Sequence, residues 1–159
     1  MIEHIVKKGV PGDLGATLIN GGVNFSVYSK DATAVKLCLF ESENSIEPSQ
    51  IIDLNPVENK TGDIWHVFVE GLSENALYLY LMDGLYDPTK GKRFNVNKYL
   101  FDPYAKAFTN GSVFKSYNNL HKEGFSQNQG GKILNLQSFP KCVVVSDDFD
   151  WEGDKPLNY

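Results

Sequence analysis

A chain of 159 residues lies in the usual range of one domain, so it can bury a single adequate core and has little room for two. Its 42% hydrophobic and 13% aromatic content places it among globular rather than disordered sequences. A formal charge of −5 with scattered lysines and arginines argues against a nucleic-acid partner, since phosphate binding draws on clustered cations. No apolar run approaches the ~20 residues that span a bilayer, and no charged start leads into an apolar core at Met1. No membrane partner and a cytoplasmic location are therefore expected.

Short runs rich in Val, Tyr, Phe and Leu recur between turn clusters, and long stretches of 3.6-residue period are missing. The predicted fold class is all-β, an immunoglobulin-like β-sandwich with a long irregular C-terminal segment. Strands are predicted over 15–19, 23–29, 35–40, 51–54, 64–69, 77–83 and 142–145. Asn20-Gly21-Gly22 tolerates positive φ between the first two of these and predicts a tight hairpin. Val23, Phe25 and Val27 alternate with Asn24, Ser26 and Tyr28, as one buried and one wetter face require. The run from Leu77 to Met82 is apolar or aromatic on both faces, so something covers its second face, either the chain's own tail or a further domain. Cys38 and Cys142 sit in apolar runs and are read as buried free thiols.

Residues 86–108 are aromatic and Pro-containing, consistent with an ordered, packed segment carrying one short helix near Lys98 or Ala105. Residues 110–138 are dominated by Gly, Asn, Gln and Ser and read as a variable surface loop.

Patterns that carry chemistry are sparse. Asp147, Asp148, Asp150, Glu152 and Asp154 lack the glycine and terminal Glu of a calcium loop and read as a solvated acidic linker. His4, His66 and His121 have no zinc-ligand spacing, and no nucleophile elbow, P-loop or dinucleotide fingerprint is present. Neither a metal nor a cofactor is expected. Aromatic side chains that could stack on a sugar face are Trp65, Tyr86, Phe94, Tyr99, Tyr104 and Trp151. Trp65 shares a strand face with Val67 and Val69, which favours a core role. Tyr86, just past Asp83-Gly84, is better placed for a ligand.

Several segments carry a family resemblance. PGDLGAT followed by GGVNFSVYS, then AVKLCLFE, TGDIWHVFVEGL and LYLYLMDGLYDP, resemble the first hairpin and central strands of the N-terminal domain of isoamylases and glycogen debranching enzymes. These belong to the α-amylase superfamily, and the domain is a carbohydrate-binding-module-type sandwich. The run YDPTKGKRFNVNKYLFDPYAKAF is similar to the family's approach to its catalytic barrel, apart from Val96, where many relatives carry proline. KCVVVSDDFDWEGDKP resembles the last strand and the lead-in to that barrel.

The resemblance implies a sandwich over 1–109, with the packed aromatic segment 86–108, the variable loop 110–138, and a final strand and barrel lead-in over 139–159. It implies a fragment of a longer enzyme that hydrolyses α-1,6 branch linkages in glycogen or related α-glucans. In that superfamily the catalytic carboxylates sit on a (β/α)₈ barrel, and no residue here matches them. The implied partners are the catalytic barrel of the same polypeptide and, through it, α-glucan. Arg93, Phe94, Asn95, Asn97, Asp102, Tyr104 and Trp151 are expected at the interdomain surface together with Tyr86. Weak carbohydrate contact is expected at Tyr86 and Lys92. The competing expectation is an autonomous glycogen- or starch-binding module.

Overall fold

A computed structural model describes residues 3–110, 136, 137, 139–147, 152 and 153. It is an all-β sandwich. The strands are β1 (Val6–Lys7), β2 (Gly15–Ile19), β3 (Gly22–Tyr28), β4 (Ala32–Phe40), β5 (Gln50–Leu54) and β6 (Lys60–Thr61), followed by β7 (Ile64–Glu70), β8 (Leu77–Gly84), β9 (Tyr86–Asp87), β10 (Lys92–Arg93), β11 (Ala107–Phe108) and β12 (Cys142–Val143).

One sheet runs β1-β7-β3-β2, with β6 also paired to β7; the other runs β11-β12-β8-β4-β5; β9 and β10 form a separate hairpin. All pairings are antiparallel. The register explains the core. Val23 lies opposite Val69, Phe25 opposite Val67 and Val27 opposite Trp65, so one face of the first sheet is apolar throughout. In the second sheet Val35, Leu37 and Leu39 lie opposite Met82, Tyr80 and Tyr78. Phe25 and Tyr78 meet edge to face with ring centroids 5.0 Å apart, joining the two layers. Each such buried side chain contributes about 1.5–3 kcal/mol of transfer free energy.

Three polar residues of β3 and β7 are buried as well, which alternation alone does not predict. Asn24, Ser26 and His66 are almost fully inaccessible because residues 8–10 lie across them. Asn24 accepts from the Val10 N–H at 2.9 Å and returns a bond from Nδ2 to the Val10 carbonyl at 3.0 Å. Ser26 Oγ donates to that carbonyl at 3.0 Å, and His66 Nδ1 pairs with the Lys8 carbonyl at 3.0 Å. The apparent wet face is thus a socket for backbone that would otherwise be unsatisfied.

The second face of β8 is covered by the chain itself, which settles the two alternatives in favour of the tail. Phe40 packs on Tyr99 at 6.0 Å, and Phe101 stacks on Phe139 at 4.9 Å. Cys38, Leu79, Leu136 and Phe139 are buried together. Lys141, fully buried, fastens this tail: its Nζ donates to the carbonyls of Glu43, Leu136 and Phe139 at 2.6, 2.8 and 3.2 Å. Burial lowers its pKa, and nearby Glu43 works in the opposite direction.

The short helix expected near Lys98 or Ala105 is absent. Those positions form turns closed by Lys98 N–H to the Asn95 carbonyl and Ala105 N–H to the Asp102 carbonyl. Among the described residues the helical turn that does form is a 3-10 turn over Pro88–Lys90. The last strand spans Cys142–Val143 rather than 142–145. Most of the expected loop 110–138 lies outside the described residues, as do Asp148, Asp150, Trp151 and Asp154.

Candidate functional site

The end of the sandwich where β3 passes into β4 carries the residues singled out in the sequence. At that end β8 emerges beside Ala32, with Gly84 as its partner across the ladder. The chain then turns through Leu85 into the β9–β10 hairpin.

The hairpin is built by local chemistry. Asp87 caps the 3-10 turn: its Oδ1 accepts from the Thr89 N–H at 3.2 Å and from the Thr89 hydroxyl. Those bonds, the Thr89 hydroxyl first, lower the Asp87 pKa below the usual carboxylate range. Gly91 closes the turn in the left-handed region at φ 73°.

Tyr86 then pairs with Arg93 and Asp87 with Lys92. Tyr86 is 63% exposed, and Arg93 is exposed without an ion pair among the described residues. The Lys92 ammonium is held by Asp31 at 3.0 Å, a partner the sequence did not signal. The hairpin therefore presents an open phenol ring beside an uncommitted guanidinium, with the tethered ammonium of Lys92 on the alternate face. That set can stack on a pyranose face, donate to hydroxyls, or anchor a protein surface, where Tyr and Arg are both enriched.

Phe94 roots the hairpin. Its ring lies so close to Gly84 that a Cβ there would come within 2.7 Å, so only glycine lets the ring settle. Asn95 organises the next turn, its Oδ1 accepting from the Asn97 N–H at 2.9 Å, and Asn97 itself is exposed.

Tyr104 is 55% exposed and sits against Gly15 at the start of β2. Asp102, expected at an interface, is instead 2% exposed. Its carboxylate accepts from the Tyr78 hydroxyl and from the Tyr104 N–H, both at 2.8 Å. It offers no surface to a docked domain and serves to position Tyr104. Trp151 lies outside the described residues.

Trp65 is 1% exposed, its Nε1 donating to the Ser29 carbonyl at 3.1 Å, so it is a core residue and no sugar platform. Tyr99 is half-buried against Phe40. Among the described residues no three His, Cys, Asp or Glu side chains gather into a metal site, and no helix is long and apolar enough to cross a membrane.

Two antiparallel sheets closed by a returning tail, with an exposed aromatic hairpin at one end, define a two-layer antiparallel β-sandwich module. The chain belongs to the family of carbohydrate-binding module 48, the isoamylase N-terminal domain, whose model matches residues 13–105. It is 39% identical over 156 residues to the chloroplastic isoamylase 1 of Oryza sativa subsp. japonica, covering 97% of this chain and 18% of that protein. It is 37% identical over 151 residues to the glycogen debranching enzyme of Serratia proteamaculans, covering 95% of this chain and 21% of the relative. The chain thus spans about a fifth of the length of these curated relatives. The pullulanase from Bacillus acidopullulyticus shares the fold with a TM-score of 0.57 at 20% identity, over 90% of this chain and 13% of that one.

Proposed function

We propose that this chain is the non-catalytic N-terminal module of an enzyme that hydrolyses α-1,6 branch linkages in glycogen or a related α-glucan. It docks on a catalytic (β/α)₈ barrel of the same polypeptide and shapes access to that barrel. The observation that carries this reading is the hairpin end, where Tyr86 lies open beside Arg93, two residue types that concentrate binding energy at protein surfaces. Asn95, Asn97 and Tyr104 extend this interface, Trp151 joins it, and residues 139–159 lead into the barrel. Cytoplasmic residence is part of the proposal, and two free, buried cysteines fit a reducing compartment.

The test compares amide hydrogen exchange of the isolated chain with that of a longer polypeptide containing the barrel. Slower exchange across residues 85–97 in the longer chain is the expected result. Unchanged exchange there, or a reading frame with no second domain, removes the docking role.

The high exposure of Tyr86 favours a second reading, an autonomous glycogen- or starch-binding module that uses Tyr86 and Lys92. Retention of the isolated chain on amylopectin, lost in Tyr86→Ala, would select it.

A further inference from the structure

We propose that the opposite end of the sandwich holds a second α-glucan subsite, a cleft of about 630 Å³ between the β4–β5 and β7–β8 turns. The volume falls in the range of small-molecule sites, ~300–1,000 Å³. The proposal rests on the α-glucan reading above for its class of ligand and on nothing at the hairpin for its geometry. β8 separates the two: Leu77 lines the cleft and Gly84 leads to Tyr86, the two ends of one strand of 8 residues. At ~3.3 Å per residue the strand is about 25 Å long, so one sugar unit cannot touch both ends.

The cleft is built before any ligand arrives. One wall is fixed by the Gly71 N–H on the Gly21 carbonyl and the Asn75 N–H on the Val144 carbonyl, both at 2.8 Å. The other is fixed by the Ser49 N–H on the Leu39 carbonyl at 2.8 Å. His4 is clamped by Gln50, which accepts from its N–H at 2.9 Å and donates to its carbonyl at 3.1 Å. The His4 Nδ1 faces the Glu70 carbonyl at 3.3 Å. A carbonyl only accepts, so Nδ1 carries the hydrogen, and in the neutral ring Nε2 is left as an acceptor. Such preformed walls lower the ordering cost of binding.

The chemistry of the lining matches a polyhydroxylated ligand. Glu41 and Asn75 make no side-chain hydrogen bond or ion pair among the described residues, and Glu74 uses only Oε1, accepting from the Ser146 N–H at 3.1 Å. Carboxylate acceptors and an amide that both donates and accepts suit sugar hydroxyls, which do both. Leu72 and Leu77 supply apolar surface for the C–H face of a pyranose. No exposed ring lines the cleft, so affinity for a short oligosaccharide is weak and gains come from a polymer that engages both ends.

The test is an NMR titration of the isotope-labelled chain with maltoheptaose, in wild type, Tyr86→Ala and the double variant Glu41→Gln/Asn75→Gly. Glycine suits position 75, where φ is 68°, and removes the amide without straining the turn. Expected are shifts at Glu41 and Ser73–Asn75 that persist in Tyr86→Ala and weaken about tenfold in the double variant. Any retention on glycogen should fall in the double variant. Cleft shifts without hairpin shifts would sink hairpin binding and uphold this site. The proposal is overturned if maltoheptaose leaves the cleft amides unmoved, or if their shifts vanish with Tyr86→Ala.

Discussion

The Tyr78 hydroxyl donates to Asp102 Oδ2 at 2.8 Å, tying a residue in the middle layer of the sandwich to the segment that closes its open side. Asp102 also accepts from the Tyr104 N–H, and its own N–H faces Cys142 Sγ at 3.4 Å. One carboxylate thereby orients the sheet, the closing segment and the exposed Tyr104. Replacing it with Ala strands a buried hydroxyl and should cost about 1–3 kcal/mol, measured by urea unfolding.

The same residue gives the stability a pH signature. Burial raises the Asp102 pKa above the usual carboxylate range, against the lowering influence of its bonds from Tyr104 and Tyr78. A folded value above the unfolded one means that the native state holds the extra proton between the two, so stability falls as pH rises through that window. Compared with Asp102→Asn, which never ionises, the wild type should lose stability upward from ~pH 4. A wild-type advantage that grows with pH would contradict this.

Trp65→Ala removes the largest fully buried side chain among the described residues from between the sheets. A loss of about 3–5 kcal/mol is expected in denaturant titration. Maltoheptaose shifts at the hairpin should persist in any fraction that stays folded.

Both thiols are pushed up to about 12 by burial, at Cys38 and at Cys142. Only a thiolate attacks an electrophile, so neither should react with a disulfide reagent in the native state at pH 8. Both should react once the chain is unfolded. Rapid native labelling of either would show that its surroundings open readily.

The isolated chain should release no reducing ends from pullulan or glycogen above a buffer blank. It should bind maltoheptaose no tighter than about millimolar, since one tyrosine platform with a few hydroxyl contacts supplies only about 4 kcal/mol. Calorimetry giving a low-micromolar constant would favour the autonomous module.

Strands were readable in the sequence from β-forming residues bounded by turn residues, with alternation adding to the signal in 23–29 and 35–40: 15–19 coincides with β2, and 64–69 falls one residue short of β7. Trp65 was readable because it shares a strand face with Val67 and Val69. The strap over β3 was not, because Asn24, Ser26 and His66 have the composition of a solvated face and only three-dimensional proximity supplies the backbone that covers them. The burial of Asp102 was not legible for a related reason, as an acid beside Pro103 in an irregular run gives no sign of a phenol waiting 24 residues upstream. The hairpin had a legible signal in Asp87-Pro88 and Gly91 that alternation-based reading passed over. Lys141, whose ammonium ends among carbonyls, had none.

That last residue gives the protein a gauge of its own motion. An amine enclosed by three backbone carbonyls and lying 5.2 Å from the Phe40 ring is shielded from acylating reagents for as long as the tail stays seated. In a timed lysine footprint, surface amines such as Lys90 mark the reagent's intrinsic rate, while modification of Lys141 waits for the segment around it to lift. The ratio of the two rates is then a direct readout of how often the outer layer peels away from the sheet, obtained without a mutation or a denaturant.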